Sequence, residues 1–594
     1  MTLFAGSTGK KSLDFINKLK KQGFFASEER LLIENAPFLG CVIESDNCIK
    51  NDDFYVAVLG GQYGQNELRN IWQSYQQGKD YLALIHGGFV LILADYRKQK
   101  LVLAIDIIGQ KSLYYAQTST GLVFGSHADV VIAHPDVSNE ISSQSIYDYV
   151  YFHQCPSPNT IYSKVKKLEG CQVLSFQNEL SLDYYWQPEF KEKLNASLAD
   201  TGQELQATLV DSVRRSVTNI DETGAFLSGG LDSSSVVGSL SKVFPGQAKS
   251  FSMGFAVDGY DEIEYARMAV ERFNTQQYEY YVTPADTVNA ISDIAAYYDE
   301  PFGNSSALAT YYCAKLAKEN GVNTLLAGDG GDELFAGNER YTTQMLFEKY
   351  YLIPKPLRNL LKTCLFNLSD PLLKNKILFK GKRYIEQAEV PLPDRLQDYN
   401  FLHRHLAQEI FTEDFVQQID TSKPLQSLGE SYHRPESGAS TLNRMLFMDW
   451  KSTLHDNDLV KVNRMTEMVG VDVAYPLLDK DVVSLSCSIP SDIKIKNRKL
   501  RWFYKQSMQG FLPDTILNKP KHGFGLPFGI WLKDHQPLKE LAYDSINSLK
   551  KRPYFRAEFL DHAIEMHQSV HAAYYGELVW VLMMLELWFQ GKKL

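Results

Sequence analysis

Leu227-Ser228-Gly229-Gly230-Leu231-Asp232-Ser233-Ser234 joins two segments of different periodicity. Before it, Thr223 to Leu227 is a short, mostly apolar run that reads as a buried strand. After it, Ser233 to Val243 reads as a helix with Val236, Val237 and Leu240 on one face. A tight glycine turn between strand and helix presents backbone N–H groups at a helix N-terminus. Those groups and the helix dipole attract an anion such as phosphate. Asp232 alone would repel that phosphate. The conflict disappears if its carboxylate holds a Mg2+ that bridges to the phosphate oxygens.

Working outward, strands and helices alternate. Lys249–Gly254, Tyr278–Val282 and Asn323–Ala327 read as strands, and Glu262–Phe273, Asp286–Tyr298 and Ala307–Glu319 as helices. This pattern predicts a doubly wound parallel sheet, with ligands at the carboxyl ends of the strands. Leu227 and Ala327 both end strands and both lead into Gly-rich, acidic loops, so the two loops are expected to share a pocket. The second loop is Gly328-Asp329-Gly330-Gly331-Asp332-Glu333. Read alone it could be a tight turn before an acidic helix start. Paired with the first loop, it lets Asp232 and Asp332 hold one Mg2+ on a bound phosphate group. Such an acidic site needs a cation for the transition state, and Lys521, in Lys519-Pro520-Lys521-His522-Gly523-Phe524-Gly525, is the candidate.

Residues 1–190 carry short apolar runs at 54–59, 89–94, 101–105 and 121–125, which predict an α+β domain of packed sheets. The charged, proline-containing stretch 186–195 reads as the boundary to a second domain, 195–594, which turns mainly helical after 341. The chain of 594 residues is too long for one ordinary core. Its net charge of −10 argues against nucleic acid or an anionic membrane surface as partner. Seven scattered cysteines without a CxxC pair suggest reduced thiols and a cytoplasmic protein. No signal peptide is recognised. The apolar stretch 578–589, which contains Glu586, reads as a core helix.

SGGLDSS lacks the GK[ST] ending of a Walker loop and resembles the pyrophosphate loop of the ATP pyrophosphatases. Together with SFSMGF (250–255), DEIEYA (261–266), DEPFGNSSAL (299–308), GDGGDELFAG (328–337) and KHGFGLPFGIWL (521–532), it follows the order seen in the asparagine synthetase family. That resemblance implies an Ntn-hydrolase-like N-terminal sandwich followed by an ATP pyrophosphatase domain with a helical C-terminal part. It further implies that Leu227, Ser228, Gly229, Gly230, Asp232 and Ser233 border ATP, and that Met253 offers its backbone to adenine. Gly328 and Asp329 would border an acyl-adenylate, Asp232 and Asp332 would bind Mg2+, and Lys521 would stabilise the intermediate. Asp329 stands where the family often has an acid thought to deprotonate the attacking amine.

Departures from the family concern glutamine. Thr2 replaces the cysteine that follows the initiator Met, the RGPD segment is absent, NGEIYN has become Leu59–Gly64, and the arginine of RDxxG is Ile105. An arginine that grips a carboxylate is not replaced by isoleucine without losing the pairing. Asp472-Val473-Ala474 replaces the family's ExR before Pro476-Leu477-Leu478-Asp479, which leaves aspartate specificity open. Members that make β-lactams or close lasso peptides also lack the cysteine. The expectation is therefore an ATP-dependent amide-forming ligase acting on a small-molecule or peptide carboxylate, with ammonia or an amine as nitrogen donor. The alternatives are an asparagine synthase using ammonia or glutamine, a sulfur-inserting pyrophosphatase, and a scaffold that kept the fold without catalysis.

Overall fold

The computed structural model describes residues 3–8, 12–21, 24, 31–35, 39–43, 47–367, 375–520, 525–569 and 572–594. Residues up to Tyr184 build two six-stranded antiparallel sheets. Phe4–Thr8 lies inside the first, paired with Leu39–Ile43 on one side and Leu122–Gly125 on the other. Phe54–Leu59, Val90–Asp95 and Lys100–Ile105 form the middle of the second. Phe4, Tyr55, Ile92, Leu103 and Phe124 are buried between the two sheets. Cys41 is fully buried in the Leu39–Ile43 strand, and burial pushes its thiol up well beyond the ordinary range.

From Thr223 onward the chain winds a five-stranded, all-parallel sheet. Its spatial order is Gln276–Val282, Lys249–Phe255, Thr223–Phe226, Thr324–Leu326 and Asp472–Ala474. The first strand in sequence thus lies in the centre, with its successors going one way and the fourth starting on the other side. The point of reversal, between Thr223–Phe226 and Thr324–Leu326, is where the crevice of such a sheet opens. Helices Leu231–Val243, Ile263–Phe273, Pro284–Tyr297 and Ala307–Glu319 follow the strands as expected.

The apolar stretch near the end is the helix Ala572–Gly591, whose residues Val579 to Leu585, Trp588 and Phe589 are buried. A helix apolar all round belongs in a core. Buried Glu586 is neutralised by Arg552, whose guanidinium pairs with it and lies 4.1 Å from the Phe589 ring. No helix of the described residues is long and apolar enough to cross a membrane. All seven cysteines are free thiols.

Candidate active site

Both acidic loops leave the sheet at its point of reversal. Gly229 takes a positive φ of 69°, and a Cβ there would strike the Tyr265–Ala266 backbone. Helix Leu231–Val243 begins directly after Gly230, so Asp232 lies in its first turn, where the dipole favours a carboxylate. The serines tie the turn together. The Ser228 amide donates to Ser233 Oγ (3.2 Å), the Gly230 amide donates to Ser228 Oγ (3.3 Å), and the two hydroxyls are 3.1 Å apart. The neighbouring strand runs beside this loop, with the Leu227 amide donating to Phe251 O (2.8 Å) and Ser252 Oγ donating to Leu227 O (2.7 Å). Met253 follows on that strand, largely buried.

The second loop sits against the first. A Cβ at Gly328 would come within 2.7 Å of the Ser233 amide nitrogen, and one at Gly331 would land on the Asp232 carboxylate. Only glycine lets the loops approach this closely. Asp332 is in the first turn of the short helix Gly331–Phe335. Asp232 and Asp332 come together on a residue that the sequence reading missed, Arg501. Its Nη1 donates to Asp232 Oδ2 (2.6 Å) and Asp332 Oδ1 (3.1 Å), while Nη2 binds the other Asp232 oxygen. The guanidinium is buried, stacks 4.5 Å from the Tyr504 ring, and leaves its Nε without a partner. The two carboxylates raise its pKa further despite burial. The only signal in the sequence was a cation in Lys499-Leu500-Arg501, shortly before the KHGFGLPFGIWL segment.

Asp329 is half-buried beside a second ion pair, Lys461 Nζ to Asp458 Oδ1 at 2.7 Å. Burial pushes its carboxyl up to about 6, with Asp458 and Asp232 adding to the rise and Lys461 opposing it. Lys461 stays charged, held up by Asp458 and Asp329. Buried Glu333 is pushed well above the usual carboxylate range by desolvation and by Asp332, Asp458 and Asp449. Lys521 lies outside the described residues. Lys519, two residues earlier, approaches Gly229 O (3.5 Å), pairs with Glu262 (3.1 Å) and covers the Tyr265 ring, which brings this basic segment to the first loop.

Among the described residues no group of three His, Cys, Asp or Glu side chains could close on a metal. Two carboxylates facing one cation are nonetheless the protein donors that Mg2+ takes when phosphates and water complete its octahedron. Asp232 and Asp332 therefore fit a Mg2+ that arrives with a nucleotide.

Asp299 and Glu300 of the DEPFGNSSAL segment point elsewhere. Asp299 accepts from the Ala128 amide (3.0 Å) and Arg464 (2.8 Å), and Glu300 from the Ile161 amide (3.0 Å) and Lys167 (3.0 Å). They fasten the N-terminal sheets to the parallel sheet. In the N-terminal part, Ile105 is fully buried, and the Asp106 carboxylate accepts from the amides of Phe89, Ile108, Gly109 and Gln110.

A family model described as asparagine synthase matches residues 204–590, and one described as a glutamine amidotransferase domain matches residues 70–186. The chain is 25% identical over 507 residues to asparagine synthetase (glutamine-hydrolyzing) 1 of Bacillus subtilis, covering 85% of this chain and 77% of that protein. It is 22% identical over 516 residues to asparagine synthetase (glutamine-hydrolyzing) 3 of the same organism, covering 80% and 76%. To Amidase chry2 of Gibberella zeae it is 23% identical over 317 residues, covering 50% and 47%.

Proposed function

Because the chain belongs to the asparagine synthase family of ATP-dependent carbon–nitrogen ligases, we propose that it joins a carboxylate to ammonia or an amine without hydrolysing glutamine itself. The observation that carries this reading is the convergence of Asp232 and Asp332 on one cation at the sheet's point of reversal. A carboxylate oxygen attacks the α-phosphorus of ATP, the bond to the β-phosphate breaks, and pyrophosphate leaves. The first turn of Leu231–Val243 holds the phosphates through its backbone N–H groups, and the serine hydroxyls brace the glycine turn before it. A Mg2+ on Asp232 and Asp332 would neutralise charge on the departing pyrophosphate. The nitrogen nucleophile then attacks the acyl carbon, AMP leaves, and Asp329 accepts the proton. A carboxyl held at about 6 is ionised at neutral pH yet basic enough for that task. Lys461, beside Asp329, keeps the base in its ionised form, and Lys521 is assigned to the acyl-adenylate.

Independence from glutamine is supported by the N-terminal part. Ile105 offers no charge to a glutamine carboxylate, Asp106 spends its oxygens on four backbone amides, and Cys41 is sealed in the sandwich. The test is pyrophosphate release from ATP across a panel of carboxylates, with ammonium, simple amines or glutamine. Release that requires an amine, gains nothing from glutamine and is lost in Asp232→Ala is expected. Stimulation by glutamine would refute the glutamine-free reading and leave the ligase reading intact.

A further inference from the structure

The segment 349–389 reverses the charge of the rest of the molecule. Its described residues carry eight Lys and Arg against two Glu, in a chain whose net charge is −10. It also reverses the usual sense of burial. Helix Lys355–Phe366 spaces Leu357, Leu360, Leu361 and Cys364 as i, i+3, i+4, i+7, the stripe a helix normally turns to a core. Here that stripe faces solvent, with Leu360 59% and Leu357 48% exposed. Two of its cations turn to the protein on the other side. Arg358 rests over the rings of Tyr351 (4.8 Å) and Tyr350 (5.4 Å), and Lys362 pairs with Glu389.

Helix Lys376–Glu389 packs alongside through buried Ile385 and Ala388. Its exposed side mixes Ile377 (79% exposed) and Phe379 (51%) with Lys376, Lys380 and Arg383. Leu352, in the turn before the first helix, is 82% exposed. The pair is fastened from beneath. Tyr351 Oη donates to Ala388 O (2.8 Å), Tyr384 Oη to Leu346 O (2.8 Å), and buried Arg395 reaches Gln344 (2.6 Å) and Ala388 O (3.2 Å).

We propose that these two helices dock the protein on an anionic lipid bilayer. Leu352, Leu360, Ile377 and Phe379 are apolar and exposed, which suits a soft apolar phase, and the exposed Lys355, Lys376, Lys380 and Arg383 suit lipid phosphates. The acidic remainder of the chain is repelled by the same surface, so the helices face it. A second copy presenting the same face would set like charge against like.

The full chain is sedimented with vesicles of phosphatidylcholine alone, with vesicles of phosphatidylcholine and phosphatidylglycerol in equal parts, and in a parallel assay with polyglutamate. Association with the anionic vesicles, weakened by salt and weak on the neutral ones, is expected. The variant Lys355→Gln/Lys376→Gln/Lys380→Gln/Arg383→Gln should lose roughly two to three orders of magnitude in affinity. The variant Leu352→Ser/Ile377→Ser/Phe379→Ser should also lose it, with melting temperatures unchanged because every altered side chain is exposed. No association with anionic vesicles, equal association with both kinds, or polyglutamate binding without vesicle binding would overturn the proposal, the last pointing to an acidic protein. None of these readouts depends on ligase activity.

Discussion

Arg501 donates to three carboxylate oxygens belonging to two loops that lie a hundred residues apart in sequence. A planar fork suits this, and the point charge of lysine does not. Removing the guanidinium would leave two partly buried carboxylates facing each other, a loss of about 3–5 kcal/mol. Arg501→Ala is therefore expected to melt lower than the parent in buffer, and to recover part of the difference on addition of Mg2+ and ATP. Thermal denaturation with and without the nucleotide checks this, and an equal deficit in both would show that the arginine does not occupy a cation position. At Asp329 the expectation concerns pH. Its pKa of about 6 means that the basic form fills as pH rises through that value, so the amine-capture rate should climb to a plateau above it. Asp329→Asn should abolish that dependence and lower the rate by roughly two to four orders of magnitude. Stability should move oppositely. A carboxyl whose folded pKa exceeds its unfolded value of about 3.9 costs stability as pH rises between the two. The Asn variant should thus be more stable than the parent above pH ~6 and equal to it near pH ~4. Neither Arg501 nor Lys461 stood out in the sequence, because a lone cation inside a helical stretch carries no local pattern.

Between the acidic loops and the N-terminal sheets runs a π-helix, Trp450–Asp458, a rare element often found at functional sites. Its residues face both ways. Lys451 pairs with Glu169, Ser452 O accepts from Gln154, and His455 bridges Gly109 O (3.0 Å) and Leu168 O (3.1 Å) on the N-terminal side. Trp450 Nε1 donates to Glu333 O, and Asp458 holds Lys461 on the other. Buried Asp456 accepts from the Ser157 amide (3.0 Å) and hydroxyl (3.1 Å). Asp456→Leu leaves the Ser157 amide and hydroxyl without their acceptor. A loss of about 1.5–3 kcal/mol is expected, seen as a lower denaturant midpoint at unchanged slope. The alternating strands and helices after 223 were legible because each buries a local apolar pattern. This π-helix was not, since its fit depends on partners about 300 residues away. Phe4–Thr8 was missed for a related reason. Its Ala, Gly, Ser and Thr show no apolar alternation, yet Gly6 is needed where the Phe124 ring presses on the strand.

At the scale of the whole molecule, motif order in the sequence foretold the family, and alternation foretold the parallel sheet. A net charge of −10 concealed the basic helices at 349–389, because a sum over 594 residues erases a local reversal. It equally says nothing of how the N-terminal sheets are held against the parallel sheet. Their contact with the parallel sheet is built from buried charges. Asp299 accepts from the Ala128 amide, Arg464 donates to Ser126 O, Lys167 meets Glu300, and Gln110 donates to Leu478 O beside the second loop's strand. Glu300 is so desolvated that burial raises its carboxyl even with Lys167 against it. Cutting the chain near 190 would strip Lys167 from Glu300, Ser157 from Asp456, and both carbonyl partners from His455. Breaking one buried pair costs about 3–5 kcal/mol, a large share of the stability of an ordinary domain. Residues 195–594 expressed alone are therefore expected to be insoluble, and soluble when co-expressed with residues 1–190. Were the isolated part to stay soluble and still release pyrophosphate, the buried pairs would be dispensable and the N-terminal sheets would need another reason to remain.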